Sequence, residues 1–323
     1  MALMLTRSDV RRIVAAEGGK VLDTLIDRVG EGYAQMARGR LLEHPRIYLR
    51  YDEAGVRRPP GLFSMSALLP DAGIMGTRLI GVHGGAGDAI LVLFDYTTLK
   101  LLAIIDDLVL HNYRTGTPGA LAARYLAPGD ARMVACLGSG NLARGGLQMM
   151  RRVLPGMREV RIYSPTESHR VQCAAEMTAA LGCAVTAVAS AEEAVAGADV
   201  VITATDADRP LVADAAIRPG AHVSLVARNE IEMATFKRSK IVVPSAATLA
   251  VWDPPWHEPV PPEWIHCELP ALVTGEAEGR ASAEETTVFV GSSASAMWDV
   301  VAASVFYEAG RALGCGTEFD VAS

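Results

Sequence analysis

Apolar residues in the middle of the chain alternate between short runs and stripes at helical spacing. The runs predict strands at residues 132–137, 160–164, 184–189, 199–204, 222–226 and 240–244. The stripes predict helices at residues 141–154, 166–181 and 191–197. Runs such as AVTAVA and DVVITAT are typical of parallel strands that are buried on both faces. This alternation predicts an α/β domain with a Rossmann-type, doubly wound parallel sheet.

The apolar pattern before residue 129 is different. A stripe at helical spacing runs from Val21 to Tyr33, and short or alternating apolar runs follow it at residues 46–50, 62–66, 77–82, 90–96 and 100–105. Several consecutive strands with short connections predict a mixed or antiparallel sheet that carries its own helices. We therefore expect residues 1–128 to form the first part of a separate α+β domain.

The end of the chain has a third pattern. The segment WDPPWHEPVPPEW, within residues 252–280, predicts a long surface connection at the end of the parallel-sheet domain. The run TTVFVG then leads into a helical pattern from Ala296 to Leu313, too late to belong to the parallel sheet. We expect residues 129–285 to form the parallel-sheet domain and residues 286–323 to return to the first domain, which is then discontinuous.

A glycine turn follows the first predicted parallel strand and carries the clearest chemical signal. Gly138 allows a sharp exit from the strand, Gly140 lets backbone N–H groups approach a pyrophosphate, and Ala143 permits close packing of helix on strand. The next helix would hold the pyrophosphate at its positive end. Strand, turn, helix and strand follow in the order of a dinucleotide-binding unit. The predicted cofactor-binding residues of the turn are Gly138, Ser139, Gly140, Asn141, Leu142 and Ala143.

The end of the second parallel strand indicates which dinucleotide binds. NAD-binding domains usually place an acid there to bind the ribose hydroxyls, but this chain has Ser164 and Thr166, with Arg170 nearby. Hydroxyl groups and a guanidinium suit a 2′-phosphate, so we expect NADP(H), with NAD(H) as the less favoured cofactor. The alternative interpretation is that Ser164 and Thr166 only cap the following helix, and both interpretations can hold at once.

Composition excludes several classes of protein. Of the 323 residues, 50% are hydrophobic and 21% are charged, which is typical of a folded globular protein. The net charge of −7, without a cluster of basic residues, argues against binding to nucleic acid. The five cysteines lack metal-site spacing, and no apolar run is long enough to cross a membrane. We expect a cytoplasmic protein that binds neither metal nor membrane.

Seven segments in order resemble the ornithine cyclodeaminase/mu-crystallin family. They are RTGT from Arg114, AARYLAP, GSGNLA, VRIYS, AEEAVAGADVVITAT, GAHVSLV and TVFVGSSASAMWDVVAASVFYEA. The last of these is similar to the family ending F-D-S-x-G-x-A-x-x-D. The resemblance implies a homodimer whose discontinuous domain binds substrate. It also implies hydride transfer between a nicotinamide and the α-carbon of a small carboxylate-bearing amino or imino acid. Further cofactor contacts are expected at Thr115, Ala204, Thr205 and Val226.

The resemblance also assigns substrate-binding arginines. Arg50, at the end of IYLR, and Arg114 lie where the family has arginines that bind the substrate carboxylate. A planar guanidinium can hold a carboxylate through two parallel hydrogen bonds, so the chemistry agrees with the assignment.

Two catalytic positions depart from the family pattern. Arg78 replaces the lysine of a G-x-K segment; it can bind a carboxylate but cannot transfer a proton. Asn229 replaces an aspartate that is suited to act as a base toward an amino group. The loss of this acid favours imine reduction over cyclodeamination. An alternative is that Glu230 or Glu232 has taken over the acid–base role.

These observations leave three functions open. The favoured one is an NADP-dependent imine reductase or amino-acid dehydrogenase. The second is a cyclodeaminase that recycles NAD(P) and releases ammonia. The third is a ligand-binding member of the family that has lost turnover, which the replacements at Arg78 and Asn229 make worth considering.

Overall fold

The structure, a computed structural model, describes residues 1–44, 46–50, 60–82, 87–226, 230–246, 260–291 and 295–321. The chain divides into two compact units. The first comprises Met1–Arg114 and Ala294–Ser323, and the second comprises Thr115–Ser293.

The first unit is a mixed sheet covered on one face by helices. Its strands are β1 (Ala2–Leu5), β2 (Leu42–Glu43), β3 (Ile47–Arg50), β4 (Gly61–Leu69), β5 (Ile74–Val82), β6 (Ala89–Asp95), β7 (Leu101–Asp106) and β16 (Thr317–Phe319). The sheet order is β16-β1-β7-β6-β5-β4-β2, with β3 also paired to β4. Only β1 and β7 pair in parallel among these described strands.

Helices cover the inner face of this sheet. They are α1 (Arg7–Ala15), α2 (Lys20–Ala37) and α9 (Ala296–Ala312), with 3-10 turns at Ala16–Gly19 and Pro70–Ala72. Helix α9 packs against α2 and strands β4, β5 and β6. Buried residues alternate along the strands, as Met65, Ala67 and Leu69 do in β4, because successive side chains of a strand point to opposite faces.

The opposite face of the sheet, which we call the outer face, is also rich in apolar residues. One cross-strand row contains Ser66, Thr77, Val92, Ile104 and Met4. Flanking rows contain Leu68, Met75 and Phe94 on one side, and Ser64, Leu79 and Ile90 on the other. These residues are half-buried or exposed. An apolar sheet face of this extent is typical of an interaction surface.

The second unit is a doubly wound sheet whose strand pairs are all parallel. Its strands are β8 (Met133–Leu137), β9 (Glu159–Tyr163), β10 (Ala184–Ala187), β11 (Val200–Thr203), β12 (His222–Leu225), β13 (Lys240–Val243), β14 (Ile265–Glu268) and β15 (Thr287–Val290). Their order is β10-β9-β8-β11-β12-β15-β13-β14. The predicted fold class is therefore confirmed.

The helices of the second unit flank this sheet. They are α4 (Asn141–Val153), α5 (Glu167–Leu181), α6 (Ala191–Val195), α7 (Met233–Arg238) and α8 (Leu269–Thr274), with 3-10 turns at Asp214–Ala216 and Pro262–Trp264. Two separate apolar clusters use alternate strand residues: Ala135 and Leu137 belong to one, and Val134 and Cys136 to the other. Both faces of the sheet are thus buried, as a doubly wound fold requires.

The unit boundaries differ from the expected ones. Helix α3 (Asp107–Leu126) begins in the first unit, and its residues from Thr115 onward belong to the second, so the division falls at residue 114 instead of 128. There the Cα of Gly146 lies so near Gly116 that a Cβ on Gly116 would come within 2.9 Å of it. The later division falls after residue 293 instead of 285, because β15 pairs between β12 and β13.

The Pro- and Trp-rich segment also differs from the expectation. Residues 247–259 lie outside the described ones, but β14 and α8 occupy part of the stretch predicted as a surface connection. Strand β14 is short and lies at the sheet edge, so its apolar pattern is weak. Among the described helices, none is both long and apolar enough to cross a membrane.

Candidate active site

The glycine turn after β8 has the backbone conformation that its sequence predicts. Gly138 has φ of +118°, which L side chains rarely adopt, and a Cβ there would collide with the carbonyl of Ala204. Its N–H donates a 2.8 Å hydrogen bond to the carbonyl of Tyr163. Arg144 donates a hydrogen bond to the carbonyl of Ser139 and so holds the turn from the helix side. The turn is thus fixed by close backbone contacts.

Helix α4 begins immediately after this turn and has open space at its start. Gly140 is the N-cap, makes no side-chain capping hydrogen bond, and has no atom within 4 Å of where its Cβ would lie. No acidic residue occupies the first turn of the helix. The uncapped N–H groups can therefore receive phosphate oxygens, and the absence of a Cβ lets a phosphate approach the backbone. This geometry fits the pyrophosphate of a dinucleotide.

Two hydroxyl groups and a guanidinium lie together at the end of β9. The Ser164 hydroxyl is 2.8 Å from the Ser139 hydroxyl, and Nη1 of Arg170 donates to the carbonyl of Ser164 at 3.2 Å. Thr166 is the N-cap of α5, but its side chain makes no capping hydrogen bond. Thr166 is therefore at the N-cap position without capping the helix through its side chain. Its exposed hydroxyl can bind a ligand.

The loop after β11 is anchored by a buried carboxylate. Glu230 accepts hydrogen bonds from the Thr205 backbone N–H and hydroxyl, both at 2.7 Å, and from the Thr203 hydroxyl. Glu232 is exposed and accepts from the backbone N–H of Asp214 at 2.8 Å. Both acids thus hold local structure, which argues against either of them having taken over the acid–base role.

Of the remaining predicted cofactor residues, Ala204, Thr205 and Val226 follow the carboxyl ends of β11 and β12, and Thr115 lies in α3. The N–H of Ala204 donates to the carbonyl of Leu137, joining the ends of β11 and β8. Thr115 and Val226 line one small cavity with Gly116 and Gly291. Strand order reverses between β8 and β11, and open α/β sheets bind ligands at such a reversal. The predicted cofactor residues of the second unit therefore come from separated segments of the chain, and their role stays a prediction.

A buried cluster of charged residues lies in the first unit. Nε and Nη2 of Arg78, on β5, are each 2.6 Å from Oδ2 of Asp107 at the start of α3. Nη2 of Arg78 is also 3.2 Å from Nδ1 of His111. Since the guanidinium is always a donor, Nδ1 of His111 is the acceptor in this pair. Arg78 is 5% exposed and Asp107 is fully buried.

Arg114 completes this cluster one helical turn further along α3. Its Nε lies 2.9 Å from Oδ1 of Asp299 on α9, but the N–H does not point along this line, so the contact is an ion pair without a hydrogen bond. Oδ1 of Asp299 is also 3.8 Å from Nε of Arg78. Within the described part of the chain, Nη2 of Arg114 is buried and has no hydrogen-bond acceptor.

Burial shifts the pKa values of three groups in the cluster. Burial raises the pKa of Asp107 to about 6, against the opposing effect of the two arginines. Burial lowers the pKa of Arg114 to about 10, with Asp299 acting in the opposite direction. Burial and the neighbouring arginines hold the pKa of His111 well below its usual range. At neutral pH Arg114 is therefore charged, Asp107 is mostly ionised and the imidazole of His111 is neutral.

Comparison with known proteins identifies the family of this chain. The sequence profile described as "Ornithine cyclodeaminase/mu-crystallin family" matches residues 6–313. This chain belongs to that family. It is 26% identical to the alanine dehydrogenase of Archaeoglobus fulgidus over 95% of this chain and 94% of the relative. It is also 28% identical to a Δ1-pyrroline-2-carboxylate reductase of Bacillus cereus, over 72% and 74% of the two chains.

A solved family structure has the same fold. Thermococcus litoralis Δ1-pyrroline-2-carboxylate reductase, in complex with NADH and L-proline, superposes with a TM-score of 0.85 at 25% identity. The match covers 98% of this chain and 100% of that one. The chain is thus related over nearly its whole length to nicotinamide-dependent oxidoreductases of amino and imino acids. These comparisons support a nicotinamide cofactor.

The family-derived site residues have different places in the structure. Arg78 and Arg114 are brought together, whereas Arg50 is exposed at the end of β3, with its guanidinium carbon 5.9 Å from the ring centre of Tyr48. The substrate-binding role of Arg50 stays a prediction. Asn229 lies outside the described residues, so its catalytic position stays a prediction as well.

Sequence reasoning missed three residues of the cluster, namely Asp107, His111 and Asp299. Asp107, His111 and Arg114 are spaced i, i+4, i+7, which places them on one face of a helix. Within the segment that resembles the family ending, which continues to Ala309, Asp299 corresponds to the final aspartate of the pattern F-D-S-x-G-x-A-x-x-D. Both signals were present in the sequence, but neither shows that the acids contact the arginines. Among the described residues, no group of His, Cys, Asp and Glu is arranged to hold a metal ion.

Proposed function

We propose that this family member is an NADP-dependent imine reductase that binds a small 2-imino acid through its carboxylate. The observation that carries the proposal is the buried guanidinium of Arg114, whose Nη2 has no acceptor among the described residues. A buried charged donor without an acceptor costs several kcal/mol relative to a paired one. A ligand carboxylate would supply that acceptor.

The rest of the cluster fits a carboxylate. Arg78 is held by Asp107, and Arg114 lies against Asp299, so each guanidinium is fixed before a ligand arrives. A fixed, desolvated guanidinium binds a carboxylate more strongly than a solvated one, and two of them restrict its orientation. The role of Arg78 and Arg114 in this proposal is to bind and orient the substrate carboxylate. Arg78 does not transfer protons, because a guanidinium stays protonated in proteins.

The proposed cofactor is NADP(H). A bound nicotinamide supplies a hydride to the imine carbon. The uncapped start of α4 would hold the pyrophosphate, and the Ser164 and Thr166 hydroxyls with Arg170 would hold the 2′-phosphate. The carboxylate that selects NAD at this position is replaced by Ser164 in this chain.

Two residues that depart from the family pattern, Arg78 and Asn229, favour reduction of an imine over deamination. Deamination and amine oxidation need a base that removes a proton from an amino group, and Asn229 and Arg78 cannot serve as one. Two relatives, from Bacillus cereus and Thermococcus litoralis, are reductases of a cyclic imino acid, Δ1-pyrroline-2-carboxylate. We therefore propose a cyclic or small acyclic 2-imino acid as substrate.

A second copy of the chain is the proposed occupant of the outer face. Its rows of Val92, Ile104 and Met4, and of Met75 and Phe94, form an apolar area on an open sheet. Soluble homo-oligomers most often pair such a surface with its own copy across a twofold axis. The proposed assembly is a homodimer.

The test uses purified protein, NADPH and a panel of acceptors: Δ1-pyrroline-2-carboxylate, Δ1-piperideine-2-carboxylate, and pyruvate with methylamine. The proposal expects NADPH oxidation in proportion to the amino acid formed. Ammonia release from L-ornithine without net change in cofactor would show a cyclodeaminase instead. Tight NADPH binding with no oxidation across the panel would show a binding protein without turnover.

A further inference from the structure

The buried cluster of the first unit is electrically balanced. Arg78 and Arg114 contribute two positive charges, and Asp107 and Asp299 contribute two negative charges. All four are at most 5% exposed. Because water cannot solvate charges at this depth, the cluster must balance its own charge. A ligand carboxylate would add one negative charge to a balanced site.

Three buried carboxylate oxygens in the cluster have no hydrogen-bond donor among the described residues, namely Oδ1 of Asp107 and both oxygens of Asp299. Oδ2 of Asp107 accepts from Arg78, but Oδ1 of Asp107 is buried and has no hydrogen-bond partner among the described residues. An ionised carboxylate oxygen in such a place is unfavourable, whereas a protonated one would be neutral and could donate a hydrogen bond. In the described part of the chain, Asp107 forms an ion pair with Arg78 alone, whereas Asp299 lies within 4 Å of both guanidinium groups. The geometry therefore marks Oδ1 of Asp107 as the place where a proton is most readily accepted.

The groups that face Asp107 are Arg78 from β5, His111 and Arg114 from α3, and Asp299 from α9. Arg46, immediately before β3, is a further cation whose charge acts on His111 and Arg114. The other candidates for a proton fit less well. Nδ1 of His111 already accepts from Arg78, so a proton there would break that bond and face a cation. Oδ1 of Asp299 lies within 4 Å of both guanidinium groups, so a proton on that carboxylate would face two cations.

We propose that Asp107 takes up one proton when a carboxylate ligand binds at Arg78 and Arg114, so that the buried cluster keeps its net charge. This inference rests on the proposed function, since it assumes that a carboxylate binds there. Asp107 is thus a positioning residue: it holds Arg78 through Oδ2, and its protonation decides how tightly the ligand is held.

The pKa of Asp107 supports proton uptake by this residue when the ligand binds. Burial has already raised it to about 6, so the free protein at pH 7 carries Asp107 mostly ionised. A ligand carboxylate nearby would raise this pKa further, because a second negative charge disfavours ionisation. Between the free and bound pKa values, ligand affinity should fall about tenfold for each unit of pH increase, since binding then requires one proton.

The experiment is calorimetric titration of the NADPH-saturated protein with pyrrole-2-carboxylate, a planar carboxylate that accepts no hydride. Titrations at pH 7 in phosphate and in Tris give the number of protons taken up, because the two buffers differ in ionisation enthalpy. We expect close to one proton per ligand, and a dissociation constant that rises about tenfold from pH 7 to pH 8.

Asp107→Asn mimics the protonated side chain, and we expect it to bind the ligand with no proton uptake and a dissociation constant independent of pH. Asp106→Asn is the matched control. Asp106 is the adjacent acid, it pairs with Arg7 outside the cluster, and proton uptake should stay close to one in this variant. His111→Gln should also keep the uptake and covers the case in which Asp107→Asn does not fold.

The outcomes are distinct. Absence of binding by the unaltered protein would contradict the proposed function itself. Binding without proton uptake would leave that function standing and overturn the inference. Uptake that persists in folded Asp107→Asn, or that disappears in His111→Gln, would assign the proton to another group and also overturn it.

Discussion

Arg78 and Asp107 form a buried ion pair in which two guanidinium nitrogens lie 2.6 Å from one carboxylate oxygen. Removing one partner of such a pair leaves an uncompensated buried charge, which costs about 3–5 kcal/mol of stability. A variant of this cluster that loses both the charge and the shape of the side chain must therefore be shown to be folded before its activity is compared. A loss of activity in a truncated variant would otherwise report unfolding.

Arg114→Lys is expected to reduce kcat/KM for imine reduction. Lysine keeps the positive charge beside Asp299 but cannot form two parallel hydrogen bonds to a carboxylate. Arg114→Ala should cost roughly 2–4 kcal/mol in transition-state stabilisation, and Arg114→Lys should recover part of this. Steady-state kinetics measure the effect, and fluorescence titration should show nearly unchanged NADPH affinity. Turnover by Arg114→Ala at the parent rate would place the active site elsewhere.

Ser164→Asp is expected to abolish or reverse the preference for NADPH. The unaltered protein should bind NADPH at least ~10-fold more tightly than NADH, about 1.4 kcal/mol, and a carboxylate at residue 164 would repel the 2′-phosphate. Ser190→Asp is the control, because Ser190 caps α6 and aspartate can cap it equally well. Equal affinities of the unaltered protein for both cofactors would refute the assignment of this loop.

Gly116→Ala and Gly146→Ala should have opposite effects, although both add one methyl group at the same helix contact. A Cβ on Gly116 would lie 2.9 Å from the Cα of Gly146, whereas the nearest atom to a Cβ on Gly146 is 3.8 Å away on Ile202. We expect Gly116→Ala to lower the free energy of unfolding by about 1–3 kcal/mol. Gly146→Ala should leave it unchanged or raise it by up to ~1 kcal/mol. Urea unfolding distinguishes the two.

His222 is expected to make the second unit sensitive to acid. Burial lowers its pKa from 6.5 to about 3. Between these values the unfolded state binds the proton and the folded state does not, so stability is full above pH 6.5 and decreases as pH falls. Relative to His222→Asn, the unaltered protein should lose about 2 kcal/mol of unfolding free energy between pH 7.5 and pH 5. His169→Asn, on the exposed side of α5, is the control and should retain the full pH dependence.

Ile90→Glu is expected to convert a dimer into a monomer. Ile90 is 37% exposed on the outer face, where a buried carboxylate in each copy would oppose association. Val171→Glu adds the same charge at a residue that is 52% exposed on α5, and it should remain dimeric. Light scattering gives the mass directly. A monomeric unaltered protein at micromolar concentration would contradict the proposed dimer.

Periodicity in the sequence predicted the parallel sheet well, because strands such as β11 and β12 are buried at every position and lie between clear helices and turns. It did not predict that β15 lies between β12 and β13, since strand order depends on pairing over long separations. The glycine turn could also be predicted from the sequence, because φ of +118° at Gly138 requires glycine. The pairing of Asp107 with Arg78 could not be predicted from the sequence, since it joins residues on separate elements through tertiary packing.

Helix α9 has a consequence for the order in which the chain can fold during synthesis. The sheet that it covers is complete from β1 to β7 by residue 106, but its inner face, with Met65, Leu91 and Leu93, stays open until residues 296–312 have been made. The parallel sheet needs only residues up to Val290. The first unit is therefore the last to finish folding. Translation that stops shortly before the end would release a chain whose parallel sheet is complete and whose first sheet has an uncovered inner face.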